Sequence, residues 1–406
     1  MELYELTLQQ LIKELESKRT NAQAIMTAVM GRINEVDGKV QAFLTLNQTA
    51  AMEKAAEFDR QPWPGVIAGI PFAVKDNYCT RGVKTTCASK MLEDFIPPYD
   101  AAVVEKLHGA GGILAGKLNM DEFAMGCSTE TSAFFPSHNP WDLERVPGGS
   151  SGGAAAAVAA DEIPLALVSD TGGSARQPAS YCGVVGLKPT YGRVSRRGIV
   201  AYASSLDQAG IISKDVADAA LVLGIIAGHD PRDSTSEKKE VPDYSTVLTT
   251  DIKGLKIGYP REYFQQAEGN VGTAVKKALL EFEKMGAIVE EVSLPHSEYA
   301  LPAYYIIGPA EASSNMGRFD GIRYGQRDNS AENVAELISG SRQRGFGPEV
   351  KRRIILGTYV LSSGKYEKYY LQALKVRRLI RDDFTGVFND YDVIIAPTTP
   401  NTAFKI

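Results

Sequence analysis

The spacing of apolar residues predicts three helices in the first 60 positions. Apolar residues recur three or four positions apart, which places them on one face of a helix. Thr7 with Gln10, and Thr20 with Gln23, have the spacing of a capping box, so the first two helices are expected to begin after Thr7 and Thr20. A third helix is predicted near Ala50–Phe58. The two apolar stripes consist of Leu8, Leu11, Ile12 and Leu15, and of Ile25, Val29 and Ile33.

Beyond this segment, short apolar runs of strand length alternate with helical patterns. Strands are predicted at Ile70–Val74, Ile113–Ala115 and Leu165–Val168, and helices at Ala101–His108 and Ala154–Ala160. Such alternation is typical of an α/β domain whose sheet is buried between helices. The same alternation returns after residue 255, and residues 298–390 are predicted to be mostly helical.

The predicted fold is α/β, with one large domain built on a central, mixed and mostly parallel β-sheet covered by helices on both faces. Residues 1–60 are interpreted as an N-terminal helical segment that packs on a domain of residues 61–406. Residues 230–250 are polar and are expected to form an exposed excursion. The chain stops shortly after a predicted strand, YDVIIAPTTPNTAFKI, so we expect a C-terminal part to be missing.

Composition and charge narrow the class of protein. The 44 basic and 49 acidic residues give a net charge of −5, which argues against a broad, non-specific grip on nucleic acid. The four cysteines and four histidines show no metal-binding or disulfide spacing, so no metal site is predicted. The acidic, amphipathic N-terminus does not resemble a signal peptide, and the longest apolar run is about ten residues. The prediction is a cytoplasmic protein that does not bind a membrane.

Two motifs suggest chemistries that their context does not favour. GGILAGKL, at residues 111–118, matches a P-loop but ends in Leu118, so it lacks the hydroxyl that would hold Mg²⁺, and it is predicted to be a buried strand. GGSSG, at residues 148–152, fits the nucleophile elbow of a Ser-His-Asp hydrolase. That motif follows a strand directly, whereas LERVP precedes this one.

Three other segments contain residues that together suggest one catalytic chemistry. Lys75 closes the apolar strand GIPFAVKDN, where burial would favour its neutral form, although it is also compatible with a structural lysine paired with Asp76. VPGGSSGG, around Ser150, is either a catalytic turn or a close-packed helix start. SDTGGSAR places two glycines before Ser174, so successive backbone N–H groups there would converge on an anion. A serine nucleophile with a neutral lysine as its base is the chemistry that these segments suggest.

The chain resembles the amidase signature family over essentially its whole length. Ser174 follows Ser150 by 24 residues and Lys75 precedes Ser150 by 75, within the motifs GGSSGG and DTGGS. The resemblance implies a Ser-Ser-Lys triad with Ser174 as nucleophile, Ser150 as bridge and Lys75 as base. It also implies a cis peptide between Gly149 and Ser150. The implied oxyanion hole consists of the backbone N–H groups of Thr171, Gly172, Gly173 and Ser174.

Within this family, five stretches are similar to the A subunits of tRNA-dependent amidotransferases. The similarity implies a glutaminase whose ammonia converts Glu-tRNA(Gln), or Asp-tRNA(Asn), in a heterotrimer with subunits B and C. In that reading the chain needs no cofactor of its own. ATP and Mg²⁺ are used by the partner subunit, which also binds most of the misacylated tRNA. The stretches are Met120–Phe134, Arg176–Arg196, Ala203–Gly210, Ala310–Gly325 and Gly347–Gly364.

The resemblance also implies residues that bind glutamine. Arg353 would hold the α-carboxylate and Tyr304 would contact the substrate, with Arg352 and Tyr305 as the neighbouring alternatives. The acidic residue that holds the α-ammonium group in the family lies beyond the last residue of this sequence. Two other functions stay open: a stand-alone amidase of small aliphatic or aryl amides, and a scaffold subunit that binds partners without catalysis.

Overall fold

The computed structural model describes residues 2–267 and 269–406, which form two compact units. The larger unit contains the chain up to Ser245 together with Asn315–Arg352 and Lys405–Ile406. The smaller unit contains Thr246–Ser314 and Arg353–Phe404. The boundary at residue 60 drawn from the sequence stays a prediction.

The helices and strands alternate through most of the chain. The helices are α1 (Leu8–Glu16), α2 (Ala22–Val40), α3 (Gln48–Arg60), α4 (Ala102–Gly109), α5 (Gly152–Ala159), α6 (Arg176–Cys182), α7 (Val216–Ile226), α8 (Arg261–Gln266), α9 (Gly269–Lys284), α10 (Ala300–Asn315), α11 (Val334–Gly345), α12 (Pro348–Leu361) and α13 (Leu371–Val387). The strands are β1 (Phe43–Leu46), β2 (Pro71–Lys75), β3 (Ile113–Leu118), β4 (Leu165–Asp170), β5 (Val185–Leu187), β6 (Gln208–Ser213), β7 (Lys256–Pro260), β8 (Ile288–Val292) and β9 (Val393–Ile394).

The larger unit is built on a six-stranded sheet with the order β1-β3-β2-β4-β6-β5. Its three neighbouring strands β3, β2 and β4 are parallel, whereas β1, β6 and β5 join by antiparallel pairing. The predicted α/β fold with a mixed sheet is therefore confirmed. Because β2, β3 and β4 run in one direction, the loops that follow them leave the sheet at one edge.

Side chains of β2 and β4 alternate between two apolar cores, one on each face of the sheet. Ala73 and Ala166 belong to a core that contains the small-residue helix α5 and the buried side of α2. Phe72 and Leu167 belong to the other core, which contains α1, α4 and α7. Strands buried on both faces explain why their sequences are continuous apolar runs.

The smaller unit contains a parallel three-stranded sheet with the order β8-β7-β9 and mostly helical chain around it. Ile257 of β7, Leu279 of α9 and Ala287 form its buried centre. The predicted strand–helix–strand unit after residue 255 is confirmed by β7, α9 and β8. No helix within the described residues is long and apolar enough to cross a membrane.

The structure confirms some of the local predictions made from the sequence and corrects one. The capping box of Thr7 and Gln10 is present at the start of α1. The box at Thr20 was wrong, because Asn21 caps α2 by accepting from the N–H of Ala24. Residues 113–118 form the fully buried strand β3, as predicted for the segment that imitates a P-loop.

A buried ion pair fixes the loop that follows β2. Nζ of Lys117, on β3, lies 3.0 Å from Oδ1 of Asp76, and both side chains are fully buried. The other oxygen of Asp76 accepts from the N–H and hydroxyl of Thr86, at 2.8 and 2.5 Å. Lys117 also donates to the hydroxyl of Thr85 and the carbonyl of Tyr78. Asp76 is thus the partner of Lys117, so the alternative that it pairs with Lys75 is not supported.

We predict that Asp76→Ala destabilises the fold strongly, because it leaves the Lys117 ammonium buried without its counter-charge. The free energy of unfolding in urea should fall by about 3–5 kcal/mol. Asp94→Ala is the matched control, since it breaks the exposed Lys84–Asp94 pair and should change stability by less than about 1 kcal/mol. Equal losses in the two variants would contradict the role assigned to the buried pair.

Candidate active site

Lys75 is the last residue of β2, and every residue of that strand is buried. Its Nζ lies 2.7 Å from Oγ of Ser150 and 3.5 Å from the carbonyl oxygen of Ser169. The structure thus brings together two of the three predicted triad residues across a distance of 75 positions in sequence. The hydroxyl of Ser150 is fully buried as well.

Burial controls the charge of this lysine. Removal of the ammonium group from water lowers the pKa of Lys75 to about 7. The carboxylates of Asp121, Asp170 and Asp207 act in the opposite direction but do not cancel the effect of burial. A lysine with this pKa is neutral in about half of the molecules at pH 7, and the neutral amine is the state that a general base requires.

Ser150 lies in a turn that leaves no room for larger residues. The peptide bond between Gly149 and Ser150 is cis, as the sequence resemblance implied. A Cβ atom at Gly149 would lie 2.0 Å from Oδ2 of Asp121, so only glycine fits there. The N–H of Gly149 donates to Oε1 of Gln177 at 2.8 Å, and the N–H of Asp121 donates to the carbonyl of Ser150 at 3.2 Å. Helix α5 starts two residues after Ser150.

Ser174 lies in the turn between β4 and α6, and Asp170 organises that turn. The carboxylate of Asp170 accepts from the backbone N–H of Gly173 at 2.8 Å and of Ala175 at 3.1 Å, the residues on either side of Ser174. Arg176 donates two hydrogen bonds of 2.9 Å to the same carboxylate. Burial alone would raise the pKa of Asp170, but the hydrogen bonds and charge of Arg176 hold it below its ordinary value.

The predicted oxyanion residues differ in what their groups contact. The N–H of Gly173 donates to Asp170, so in this arrangement it is occupied and does not point to a free anion site. Gly173 has φ of +116°, a conformation that favours glycine. The hydroxyl of Thr171 donates to Asp207 at 2.6 Å. The N–H groups of Thr171, Gly172 and Ser174 stay the predicted donors.

Four charged residues around the site were not predicted from the sequence: Asp170, Arg176, Asp121 and Asp207. Each is a charged residue within or near the motifs, and their role became evident only from contacts. The opposite charges of Asp170 and Arg176, placed on either side of the Gly-Gly-Ser turn, were the available signal. Asp207 lies in a separate segment, and no spacing rule linked it to Thr171.

A histidine-dependent hydrolase receives no support from the geometry. The Nδ1 atoms of the four histidines are within hydrogen-bond distance of the carbonyl oxygens of Gly112, Leu143 and Ser236 and of the carboxylate of Asp383. The hydroxyl of Ser150, in contrast, contacts a lysine. Within residues 2–267 and 269–406, no three His, Cys, Asp or Glu side chains are grouped so as to hold a metal ion.

The two predicted glutamine-binding residues belong to the smaller unit. Arg353 is 6% exposed, and its guanidinium carbon lies 5.9 Å from the ring centre of Tyr305. Tyr304 is half-buried and packs edge-on against Tyr305 with ring centres 5.4 Å apart. The alternative Arg352 is exposed and donates two bonds of 2.7 Å to Glu349.

Comparison with known proteins agrees with this geometry. The model of the Amidase family matches residues 24–406. The chain belongs to the Amidase family. Family membership makes it an amidohydrolase.

Among its Amidase-family relatives, the chain is 63% identical to the A subunit of glutamyl-tRNA(Gln) amidotransferase from Syntrophomonas wolfei, and it covers 84% of that protein. Identity to the protein of the same name from Moorella thermoacetica is 59%, again with 84% of the relative covered. All of the chain is aligned in both cases. The crystal structure of the Thermotoga maritima A subunit superposes with a TM-score of 0.82 at 44% identity, covering 100% of this chain and 82% of that one.

We predict that Arg176→Gln slows amide hydrolysis. The substitution removes the two hydrogen bonds by which the Arg176 guanidinium holds Asp170, and Asp170 in turn holds the turn that contains Ser174. Misplacement of Ser174, the predicted nucleophile, should reduce kcat/KM by about 10- to 100-fold. Arg145→Gln is the matched control, since Arg145 is a similarly exposed arginine paired with a nearby aspartate, Asp142. Unchanged kcat/KM in Arg176→Gln would contradict the positioning role of the Asp170–Arg176 pair.

Proposed function

We propose that this chain is the glutaminase subunit of a tRNA-dependent amidotransferase. It hydrolyses glutamine through a Ser-Ser-Lys triad and supplies ammonia for the conversion of Glu-tRNA(Gln), or Asp-tRNA(Asn), to the correctly amidated tRNA. The observation that supports the chemistry most is the 2.7 Å contact between the buried Lys75 amine and Ser150. The relatives named as A subunits of glutamyl-tRNA(Gln) amidotransferase support the choice of substrate.

The proposed mechanism begins with Lys75 as a neutral amine. Lys75 takes the proton of Ser150, and Ser150 takes the proton of Ser174 as the latter attacks the side-chain amide of glutamine. The backbone N–H groups of Thr171, Gly172 and Ser174 are the proposed donors that stabilise the negative charge on the carbonyl oxygen. The proton then passes to the departing nitrogen, so ammonia leaves and Ser174 carries a glutamyl ester. Water hydrolyses the ester by the same proton relay and releases glutamate.

Recognition of free glutamine requires a partner for its α-carboxylate. Arg353 is proposed for this role because a guanidinium binds a carboxylate with two parallel hydrogen bonds. Its burial supports the choice, whereas Arg352 is exposed and paired with Glu349. Tyr304 is proposed as the second contact with the substrate.

The rest of the reaction is assigned to partners. In this proposal the chain works in a cytoplasmic heterotrimer with subunits B and C and carries no cofactor. ATP and Mg²⁺ are used on the partner subunit that binds most of the misacylated tRNA. Names of the relatives support an assembly of this kind.

We predict that the chain, mixed with subunits B and C, releases ammonia from L-glutamine and that Ser174→Ala abolishes both release and acyl-enzyme formation. The serine hydroxyl is the proposed nucleophile, so no other group replaces it. Ammonia is measured by a coupled assay and the acyl-enzyme by mass spectrometry. Ser180→Ala, an exposed serine in α6, is the control.

Three results would contradict parts of this proposal. Activity that survives Ser174→Ala would contradict the nucleophile assignment. Turnover of small amides without any turnover of glutamine would indicate a stand-alone amidase. Formation of the complex without ammonia release would indicate a scaffold subunit.

We predict that kcat/KM for glutamine rises with pH and levels off above about 7, the pKa of Lys75. Below that pH the amine is protonated and cannot accept a proton, so the rate should fall about tenfold per pH unit. Lys75→Ala should reduce turnover by roughly two to four orders of magnitude, with partial recovery at high pH. A flat profile between pH 5.5 and 8, or normal turnover by Lys75→Ala at neutral pH, would return Lys75 to a purely structural role.

A further inference from the structure

A second buried titratable group lies outside the proposed triad, at Glu122. Its side chain is 1% exposed. The N–H of Gly347 donates to its two oxygens, at 2.9 and 3.1 Å, and the hydroxyl of Ser89 lies 2.5 Å from Oε1. No step of the proposed mechanism uses this carboxyl group.

Glu122 lies between two segments of the larger unit that matter for the proposed reaction. On one side, the adjacent residue Asp121 donates its N–H to the carbonyl of Ser150. On the other side, Gly347 immediately precedes α12, and that helix carries Arg353. Phe123 strengthens the connection, with its ring centre 5.0 Å from that of Phe319 and 5.6 Å from that of Phe346.

Ser89 has one hydroxyl proton but two acceptors within reach, Glu122 and the carbonyl of Gly345 at 3.1 Å. When Glu122 is ionised, the hydroxyl donates to the carboxylate. When Glu122 is protonated, its own O–H donates to Ser89, and the Ser89 proton turns to Gly345. The two protonation states of Glu122 therefore have different hydrogen bonds at the junction between α11 and α12.

We propose that Glu122 is a positioning residue that holds the start of α12, and with it Arg353, and that it does so most firmly as a carboxylate. This inference rests on the proposed function, because it concerns affinity for the α-carboxylate of glutamine. A charged acceptor makes the stronger bond to the N–H of Gly347. Negative charge at the first turn of a helix is also favoured by the helix dipole.

The charge of Glu122 changes in the range where the enzyme would work. Burial raises the pKa of Glu122 to about 7, although the bonds from Ser89 and Gly347 and the charge of Lys351 act to lower it. Lys351 is the charged group that faces it from α12. Asp121, from the same loop, turns its carboxylate to Ser128 and Thr131 instead, and Lys90 is exposed. Affinity for glutamine should therefore weaken as the pH falls through about 7.

The test measures binding without chemistry. L-glutamine is titrated by calorimetry into the complex that carries Ser174→Ala, between pH 5.5 and 8. We expect Kd to increase by about fivefold from the high to the low end of this range. In the double variant Ser174→Ala/Glu122→Gln, the permanently neutral side chain should weaken the affinity at high pH and remove the contribution of Glu122 to the pH dependence. Any pH dependence that comes from Lys75 would remain in this variant, so the part that disappears belongs to Glu122.

Two further variants do not depend on the folding of Glu122→Gln. Ser89→Ala removes a hydrogen bond that stabilises the carboxylate, and Lys351→Gln removes a nearby positive charge, so each should move the midpoint of the Kd profile to higher pH. Lys90→Gln removes an exposed lysine from the neighbouring segment and should leave the midpoint unchanged. A purely structural role would not move the midpoint.

Separate results would contradict the role of Glu122 and the proposed function. A profile that keeps its shape in Glu122→Gln, or a midpoint that does not move in either Ser89→Ala or Lys351→Gln, would overturn the proposal. Failure of the parent complex to bind glutamine at any pH would overturn the proposed function itself, and with it this extension.

Discussion

The contact between the Lys75 amine and the Ser150 hydroxyl depends on keeping water away from a lysine. An ammonium group in the centre of a protein is unstable unless it is paired, and here the nearby carboxylates have other partners. Asp76 is bound to Lys117, and Asp170 to Arg176. Lys75 is thus left beside a serine, in an environment that favours its neutral state. Burial lowers the pKa of Lys75, and the carboxylates of Asp121, Asp170 and Asp207 do not cancel that effect.

The loops that surround this lysine have unusual backbone conformations. Gly148 and Gly173 have φ of +86° and +116°, as turns beside the two serines require. Five residues other than glycine also have left-handed conformations in loops of this region, which is uncommon. Hydrogen bonds from buried side chains hold these loops, so the unfavourable conformations persist. The five residues are Cys87, Ala88, Phe123, Ala124 and Thr129.

Much of this arrangement could be predicted from the sequence. The apolar pattern located the early helices and the parallel strands β2, β3 and β4. The contact between Lys75 and Ser150 agrees with the triad that the resemblance to the amidase signature family implied, whereas the role of Ser174 as nucleophile stays a prediction. The start of α2 was missed by one residue, because Thr20 and Asn21 are both good caps and only the contacts distinguish them. The strands β5 and β6 were not predicted.

Long-range contacts account for what the sequence did not reveal. Asp76 and Lys117 are 41 positions apart, and Glu122 and Gly347 are separated by 225. Neither pair has a spacing rule, since the folding of the whole sheet creates it. The hydrogen bond from the Gly173 N–H to Asp170 could not be predicted either, because a motif gives residue types but not the direction of a backbone group.

The proposed chemistry requires that Lys75 loses its proton near neutral pH. NMR of lysine labelled with ¹³C at Cε measures this charge state directly. The resonance is assigned by its loss in Lys75→Arg, and the chemical shift is followed from pH 5 to 11. The account predicts a midpoint near 7, because burial lowers the pKa of this amine to about 7. A midpoint near 10.4, the ordinary value for lysine, would contradict it, since Lys75 would then be protonated at neutral pH and could not serve as the base.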